Sequence, residues 1–349
     1  MKVIHIESGL GNQMLSYCEL LSLKYVNPLE EFYLETLVYD IPEAAEVINQ
    51  WQGYELQKIF DIQTPNIRDK FTKEQWSSIV EDIRGGEFWT KNWNWPIYFT
   101  NAFERQGLSL QNLRGDFEEN ARELQKSTTG RRRKNALYKK FQKTWLYSNI
   151  RRIVNNRKPY MEDDLSYLFY IGSGDALTGQ KLSFMYRNNH IEDIDKLIRE
   201  TFVFPPLNDE RNIKLMREIQ GCESVAIHAR RGDLLGLNGR YYKGGFFKRA
   251  TNYIRHQVKQ PTFYFFCDPG SSEWCRENLK VFGLNKYEKI SFVDWNKGDE
   301  SFRDMQLMSY CKHNIITISS FGWWGAYLNE NPKKITISPE PKINTTHHM

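Results

Sequence analysis

Two consecutive arginines, Arg230 and Arg231, follow a short apolar run at residues 224–227 of this 349-residue sequence. His228 stands before them, and a glycine and Asp233 follow. The apolar run predicts a buried strand, and ligands of open α/β sheets bind beyond the carboxyl ends of the strands. Because the planar guanidinium donates to two phosphate oxygens at once, the arrangement predicts an anion site. The alternative is a surface turn whose charges are solvated.

A second set of hydrogen-bond donors follows a later apolar run, at 314–319. Ser319 and Ser320 come at its end, and Trp323 and Trp324 lie in the helix predicted to follow. Serine hydroxyls and the N–H groups at a helix start are donors, and the helix dipole favours a negative ligand there. We therefore expect both donor sets to hold a diphosphate. The alternatives are an ordinary N-cap for Ser320 and core packing for the tryptophans.

Polar residues follow two more predicted strands. Asp268 and then Glu273 come after 262–267, and Gly9–Gln13 comes after 2–6. Asp268 is either a ligand contact or a turn-forming residue before a Pro-Gly pair. His228 likewise is either a ligand contact or a buried structural histidine.

The elements that must position these residues alternate regularly in the second half of the chain. Strand-like runs are predicted at 223–229, 262–267, 289–294, 314–319 and 334–338. Helices are predicted near 245–258, 272–281, 300–312 and 323–330. Alternation of this kind indicates a parallel, Rossmann-like sheet. In the third helix apolar residues recur every three positions, and Asp299 is the expected N-cap.

The first half begins with a strand, a glycine turn and a helix, which is an α/β unit. That helix places Met14, Cys18, Leu21 and Tyr25 on one face. Residues from about 64 to 180 form a long insertion without a legible pattern, including a basic stretch at 131–143. We expect an N-terminal domain over 1–205 and a Rossmann-like C-terminal domain over 208–349, linked at Pro205-Pro206.

Composition is typical of a soluble globular protein, with 40% hydrophobic, 26% charged and 14% aromatic residues. The net charge of +5 is small and scattered, so nucleic acid is not an expected partner. The five cysteines are dispersed without metal-ligand spacing and predict buried thiols in a reducing compartment. No apolar run approaches the ~20 residues of a membrane span, and the chain opens on a strand rather than a signal peptide. We expect a cytoplasmic protein.

Four motifs together resemble the α-1,2-fucosyltransferases of glycosyltransferase family 11. They are Gly9-Leu10-Gly11-Asn12-Gln13-Met14, His228-Ala229-Arg230-Arg231-Gly232-Asp233, Glu273-Trp274-Cys275-Arg276-Glu277-Asn278, and Asp304 through Cys311 and Ser319-Ser320-Phe321-Gly322-Trp323-Trp324 to Asn329. The resemblance covers the first ~25 residues and most of 190–330; about 64–180 is unmatched. It implies a GT-B-like α/β fold in which two Rossmann-like domains face each other across a cleft.

The resemblance also implies an activity: inverting transfer of L-fucose from GDP-fucose to the 2-hydroxyl of a terminal galactose, on an oligosaccharide or glycolipid. No metal or other cofactor is implied, since fixed donors can stabilise the leaving diphosphate. The one Asp-x-Asp string, Asp193-Ile194-Asp195, sits in a helical pattern at 190–202, and we interpret it as a solvated helix face. Lipopolysaccharide or capsule synthesis would fit, and the basic stretch then suggests peripheral contact with the inner membrane.

Residue roles implied by the resemblance follow the motifs. Arg230 would stabilise the β-phosphate, assisted by Arg231. The nucleotide contacts would be completed by His228, Asp268, Ser319, Ser320 and Phe321. Asn12 and Gln13 would face the donor sugar.

A general base is expected for an inverting transfer, with Asp233 and Glu7 as candidates. Two alternatives stay open. One is a related fucosyltransferase that forms another linkage, or that uses another acceptor or GDP-sugar. The other is a nucleotide-binding module without catalysis.

Overall fold

The structure is a computed structural model and describes residues 1–46, 50–86, 96–112, 146, 174–178, 193–232 and 235–339. The described helices are α1 (Leu10–Val26), α2 (Leu56–Phe60), α3 (Lys73–Gly86), α4 (Pro96–Arg105), α5 (Asp195–Thr201), α6 (Glu210–Gln220), α7 (Leu235–Lys243), α8 (Phe246–Gln257), α9 (Ser272–Glu277), α10 (Phe302–Tyr310) and α11 (Ser320–Tyr327). The described strands are β1 (Lys2–His5), β2 (Phe32–Glu35), β3 (Gln111–Asn112), β4 (Ala176–Thr178), β5 (Ser224–Ala229), β6 (Thr262–Cys267), β7 (Ile290–Val293), β8 (His313–Ile315) and β9 (Thr336–Ile337).

Both sheets are parallel, which confirms the predicted α/β class. One has four strands in the order β2-β1-β4-β3, and the other has five in the order β7-β6-β5-β8-β9. In the five-stranded sheet the chain order reverses between β5 and β8, because the strands run outward from β5 on both sides. Such a switch point is where open α/β sheets bind ligands.

The chain packs as two compact units. Unit 1 comprises Met1–Ile6, Ser22–Ile48 and Thr64–Asn189, and unit 2 comprises Glu7–Leu21, Asn49–Gln63 and His190–Met349. This division differs from the predicted one at 205–208. The stretch 49–63 joins unit 2 through aromatic contacts, since the Phe60 ring lies 5.1 Å from that of Phe202 and 5.3 Å from that of Phe204. Pro205 also lies inside unit 2, where its carbonyl accepts a 2.7 Å hydrogen bond from Arg303.

Each unit has its own apolar core. In unit 1 the side chains of α3 and α4, among them Trp76, Phe99 and Phe103, pack with Val3 and Leu177 of the sheet. In unit 2 the core on one face of the sheet is largely aromatic, with Phe247, Phe263, Phe265 and Phe282 at most 1% exposed. Burial of such rings is the main term that stabilises the sheet.

Helix α11 is fixed at its C-terminal end. The Lys334 ammonium donates to the carbonyls of Ala326 at 2.9 Å and Asn329 at 2.7 Å. A cation suits the negative end of a helix. Burial lowers the pKa of Lys334 to about 8, and repulsion from Arg199 adds to the shift.

Several predicted elements are confirmed, with shifted ends. The predicted strands at 223–229 and 262–267 correspond to β5 and β6, but the run 314–319 is a strand only as far as Ile315. Residues 316–319 form a loop, and α11 begins at Ser320, earlier than the predicted 323.

Helix α1 contains Met14, Cys18, Leu21 and Tyr25 at the predicted spacing, with Tyr25 54% exposed near its C-terminal end. Two other local predictions are wrong. Asp299 does not cap α10, which begins after Ser301; the Asp299 carboxylate instead pairs with Lys58 at 2.5 Å. In the Asp-x-Asp string, Asp195 is more than a solvated residue, because it pairs with Arg199 and accepts a hydrogen bond from the Tyr327 hydroxyl.

All five cysteines fall within the described ranges and are free thiols. No helix in the described part of the chain combines the length and the apolar character that crossing a membrane requires. Asp233, the basic stretch 131–143 and most of the predicted insertion lie outside the described residues.

Candidate functional site

The two arginines after β5 stack on different aromatic rings. The Arg230 guanidinium carbon lies 4.5 Å from the centre of the Trp51 ring. That of Arg231 lies 3.3 Å from the centre of the Trp274 ring and 5.1 Å from that of Tyr242. Stacking uses the face of a guanidinium, whereas its N–H donors point along the edge. Each arginine is therefore held in a fixed orientation by its own ring.

Asp268 shapes the turn that carries these arginines. Its carboxylate accepts hydrogen bonds from the backbone N–H of Arg231 at 2.7 Å, from the N–H of Gly232 and from the Ser271 hydroxyl at 3.1 Å. The residue is 7% exposed. A side chain at Gly232 would collide with this carboxylate, so a larger residue there would have to displace Asp268. Its hydrogen bonds make Asp268 a positioning residue for the arginine turn, whereas the resemblance implied a nucleotide contact.

The start of α11 presents backbone donors beside this turn. Ser319 is the N-cap residue in an extended conformation, with φ of −161°, and among described residues its side chain makes no capping hydrogen bond. Ser320 is therefore the first residue of the helix and not its N-cap. Ser319, Ser320 and Phe321 are all partly exposed. The first N–H groups of a helix have no partner within the helix and suit an anion.

A second helix start lies against the first. A Cβ at Gly11, in the first turn of α1, would lie 2.7 Å from the backbone nitrogen of Phe321 and 2.8 Å from the Ser320 hydroxyl oxygen. The Trp324 indole N–H donates to the Gly11 carbonyl at 2.9 Å, which fixes this approach. Neither helix has an acidic residue in its first turn. Two positive helix ends therefore meet at one place.

His228 lies beneath the start of α11 as a neutral imidazole. It is 4% exposed, its ring stacks on Phe321 with centres 5.8 Å apart, and a side chain at Gly322 would collide with it. Burial, reinforced by the charge of Arg230, lowers the pKa of His228 to about 3. Among the described residues its Nδ1 has no hydrogen-bond partner. His228 is thus a buried part of the floor of the site, packed against the first turn of α11.

The glycine-turn residues have different roles. Gln13 is fully buried; its amide donates to the carbonyls of Ser8 at 2.9 Å and Gly53 at 2.7 Å, and accepts from the N–H of Glu55 at 2.9 Å. It therefore joins the turn to residues 50–55, and its side chain is not exposed. Asn12 is partly exposed at the start of α1.

Of the two predicted bases, Glu7 is 4% exposed and Asp233 lies outside the described residues. A third buried carboxylate, Glu55, belongs to none of the motifs and is not predicted from the sequence. It accepts a hydrogen bond from the N–H of Leu10, and burial raises its pKa to about 7.

Two further residues were not assigned a role from the sequence. Trp51, which stacks on Arg230, stands in a stretch without a recognisable motif. Asp304 does belong to a quoted motif; burial raises its pKa to about 8, although an amide hydrogen bond from Asn296 at 2.7 Å opposes the shift. Its place in that motif, within a predicted helix of the C-terminal domain, is the sequence feature that could have identified Asp304.

Comparison with known proteins agrees with the motifs. Residues 186–347 match the model of the family described as Glycosyl transferase family 11. This match confirms, for that part of the chain, the resemblance that the motifs indicate.

The relatives match over part of their length. An Escherichia coli alpha-1,2-colitosyltransferase is 31% identical over 150 residues, which are 40% of this chain and 48% of that protein. The human galactoside alpha-(1,2)-fucosyltransferase 1 is 29% identical over 109 residues, 30% of this chain and 28% of that protein. The chain thus spans about half the length of the first relative and less than a third of the second.

Solved structures of fucosyltransferases align along most of the chain. The fucosyltransferase NodZ from Bradyrhizobium is 10% identical, with 93% of this chain and 91% of that chain covered and a TM-score of 0.45. Arabidopsis thaliana FUT1 in complex with GDP is 11% identical, with 98% and 71% covered and a TM-score of 0.45.

The buried His228 predicts a pH dependence of stability. The unfolded chain binds a proton on this imidazole below about pH 6.5, whereas the folded chain does so only near pH 3. The free energy of unfolding should therefore fall as the pH drops through this window. His228→Phe should flatten that part of the profile in urea titrations, and His256→Gln, at an exposed histidine, should not. An unchanged profile in His228→Phe would contradict the assignment.

The turn after β5 predicts a loss of stability in Asp268→Ala. The N–H groups of Arg231 and Gly232 would lose their acceptor, which should lower the free energy of unfolding by about 1–3 kcal/mol. Ser271→Ala removes one neutral donor to the same carboxylate and should cost no more than about 1.5 kcal/mol. Equal losses in the two variants, measured by denaturant unfolding, would show that the backbone contacts do not carry the turn.

Proposed function

We propose that this chain is a glycosyltransferase of family 11 that moves L-fucose from GDP-fucose to the 2-hydroxyl of a terminal galactose, with inversion and without a metal ion. One observation carries the proposal: Arg230 and the starts of α1 and α11 converge in unit 2, largely within the region that matches the family model. The names of the relatives support transfer to a 2-hydroxyl of a galactoside.

The chemistry follows from the charge that develops on the donor. As the bond between the fucose anomeric carbon and the β-phosphate oxygen breaks, GDP leaves with an additional negative charge. The Arg230 guanidinium and the N–H groups at the start of α11 are fixed donors for this charge, and fixed donors need no reorganisation during the reaction. The dipole of α11 adds to the effect, whereas the Glu55 carboxylate partly offsets the positive end of α1.

The acceptor oxygen attacks the anomeric carbon from the side opposite the phosphate, which inverts the configuration. Its proton must pass to a base as the new C–O bond forms. Because Asp233 follows the arginine turn directly, it remains our candidate for this base, and Glu7 is the second. His228 is neutral at physiological pH and adds no charge to the diphosphate site.

A second candidate donor is favoured by one of the relatives. The E. coli protein that matches over 150 residues is named a colitosyltransferase. Colitose, like fucose, is a deoxyhexose, and the diphosphate contacts do not distinguish between sugars. Transfer of another deoxyhexose from its GDP-linked form is therefore the alternative activity.

Transfer from GDP-fucose to small β-galactosides, assayed with excess EDTA, tests the activity. We expect a product with a new α-1,2 linkage, identified by NMR, at an undiminished rate, because the donors that stabilise GDP belong to the protein. Transfer from GDP-colitose alone would establish the alternative donor. Loss of transfer that added Mg²⁺ restores would refute metal independence, and absence of both transfer and GDP binding would refute the function.

Arg230→Ala should weaken GDP binding by more than tenfold in calorimetric titrations, because a charged hydrogen-bond donor to phosphate is lost. Arg230→Lys keeps the charge without the planar fork and should lie between the wild type and Arg230→Ala. Arg217→Ala is the matched control, since this exposed arginine lies at the end of α6, next to the opposite end of β5. If Arg230→Ala and Arg217→Ala bind GDP equally well, the anion site is misplaced.

A further inference from the structure

Trp51 exposes an unusually large apolar surface. It is 47% exposed, whereas Trp76, Trp323 and Trp324 are at most 5% exposed. Because it is next to Arg230, the exposed indole surface lies at the candidate site and not on a remote face of unit 2.

The backbone at Trp51 adopts a conformation that its side chain disfavours. Its φ is +50°, in the left-handed region, which is uncommon for a bulky residue. Such a conformation persists where neighbouring contacts hold it, and it is frequent at functional sites. Here the contacts come from Gln13, whose buried amide binds the Gly53 carbonyl and the Glu55 N–H just beyond Trp51.

The indole is also held on two sides. The Arg230 guanidinium stacks on its ring. At Gly9 a Cβ would lie 2.6 Å from the indole Cδ1, so the ring edge rests directly on the glycine backbone. A fixed ring that retains large exposed area is a preorganised binding surface, because little side-chain freedom is lost when a ligand covers it.

We propose that Trp51 is the stacking platform for the acceptor, and that it binds the apolar face of a terminal galactose. This inference rests on the proposed function. In galactose the C–H groups at C3, C4 and C5 lie on one face of the ring, and an aromatic ring is their natural complement. The sugar bonded to the β-phosphate lies beside Arg230, so a ring stacked on Arg230 is close to the transfer point.

The acceptor needs this platform more than the donor does. The donor sugar is tethered to a diphosphate that the cationic site holds. The acceptor is a neutral sugar without a charged group, so it depends on hydrogen bonds and on contacts with its C–H face. A Trp51 platform would therefore affect acceptor binding far more than GDP binding.

Trp51→Ala and Trp51→Phe test the proposal, with Tyr253→Ala as control because Tyr253 is an aromatic residue on α8 that is 53% exposed. In Trp51→Ala we expect the KM for methyl β-galactoside to rise more than tenfold. Trp51→Phe should recover much of that loss, and kcat should change less than KM. GDP affinity should fall no more than about fivefold, which corresponds to the loss of one exposed cation–π contact.

Binding of methyl β-galactoside in the presence of GDP, followed by saturation-transfer NMR, separates this inference from the proposed function. Wild-type transfer with an unchanged acceptor KM in Trp51→Ala would overturn the platform and leave the function standing. If Trp51→Ala loses more affinity for GDP-fucose than for GDP, each relative to the wild type, the ring binds the donor sugar. That result would also overturn the proposal. If the wild type binds galactoside without transfer, the function fails, and loss of the NMR signal in Trp51→Ala still supports the platform. If the wild type binds neither ligand, both proposals fail.

Discussion

The close approach of two helix starts is the constraint on which the site depends. Gly11 brings the first turn of α1 against the backbone of Ser320 and Phe321, and only the absence of a side chain permits this contact. Two helix ends of the same polarity repel each other in the absence of an anion. The Trp324–Gly11 hydrogen bond opposes that repulsion, and Glu55 supplies a carboxylate to the N–H of Leu10. The first turn of α11, like that of α1, contains no acidic residue of its own.

The remaining polar groups of the site keep this arrangement in place. The Asp268 carboxylate accepts hydrogen bonds from the backbone of the arginine turn. The Gln13 amide forms hydrogen bonds with the backbone around Trp51. Both are buried polar side chains with satisfied hydrogen bonds, which is the usual condition for burial. The aromatic rings under Arg230 and Arg231 then orient each guanidinium separately. The two arginines therefore have different neighbours, although they are adjacent in sequence.

The sequence predicts the frame of unit 2 well, because strands and helices alternate there and each apolar run is short. It predicts β5 and β6 closely, and it identifies the arginine turn and the serines before α11. It does not predict that Asp268 and Gln13 bind backbone atoms, since a carboxylate or amide near a turn is compatible with either a ligand or a structural role. Trp51 is not predictable at all from its neighbours. Its proximity to Arg230 arises from a contact between residues 179 positions apart, and no local pattern encodes such a contact.

The left-handed backbone at Trp51 has an evolutionary consequence. Glycine or asparagine would adopt this φ more readily, so drift at position 51 towards either residue would favour folding. Retention of tryptophan at this position among related chains would indicate selection for the indole itself. Natural variation at this single position should therefore distinguish two groups of related chains. One keeps the exposed ring, and the other carries a residue that adopts this φ with less strain.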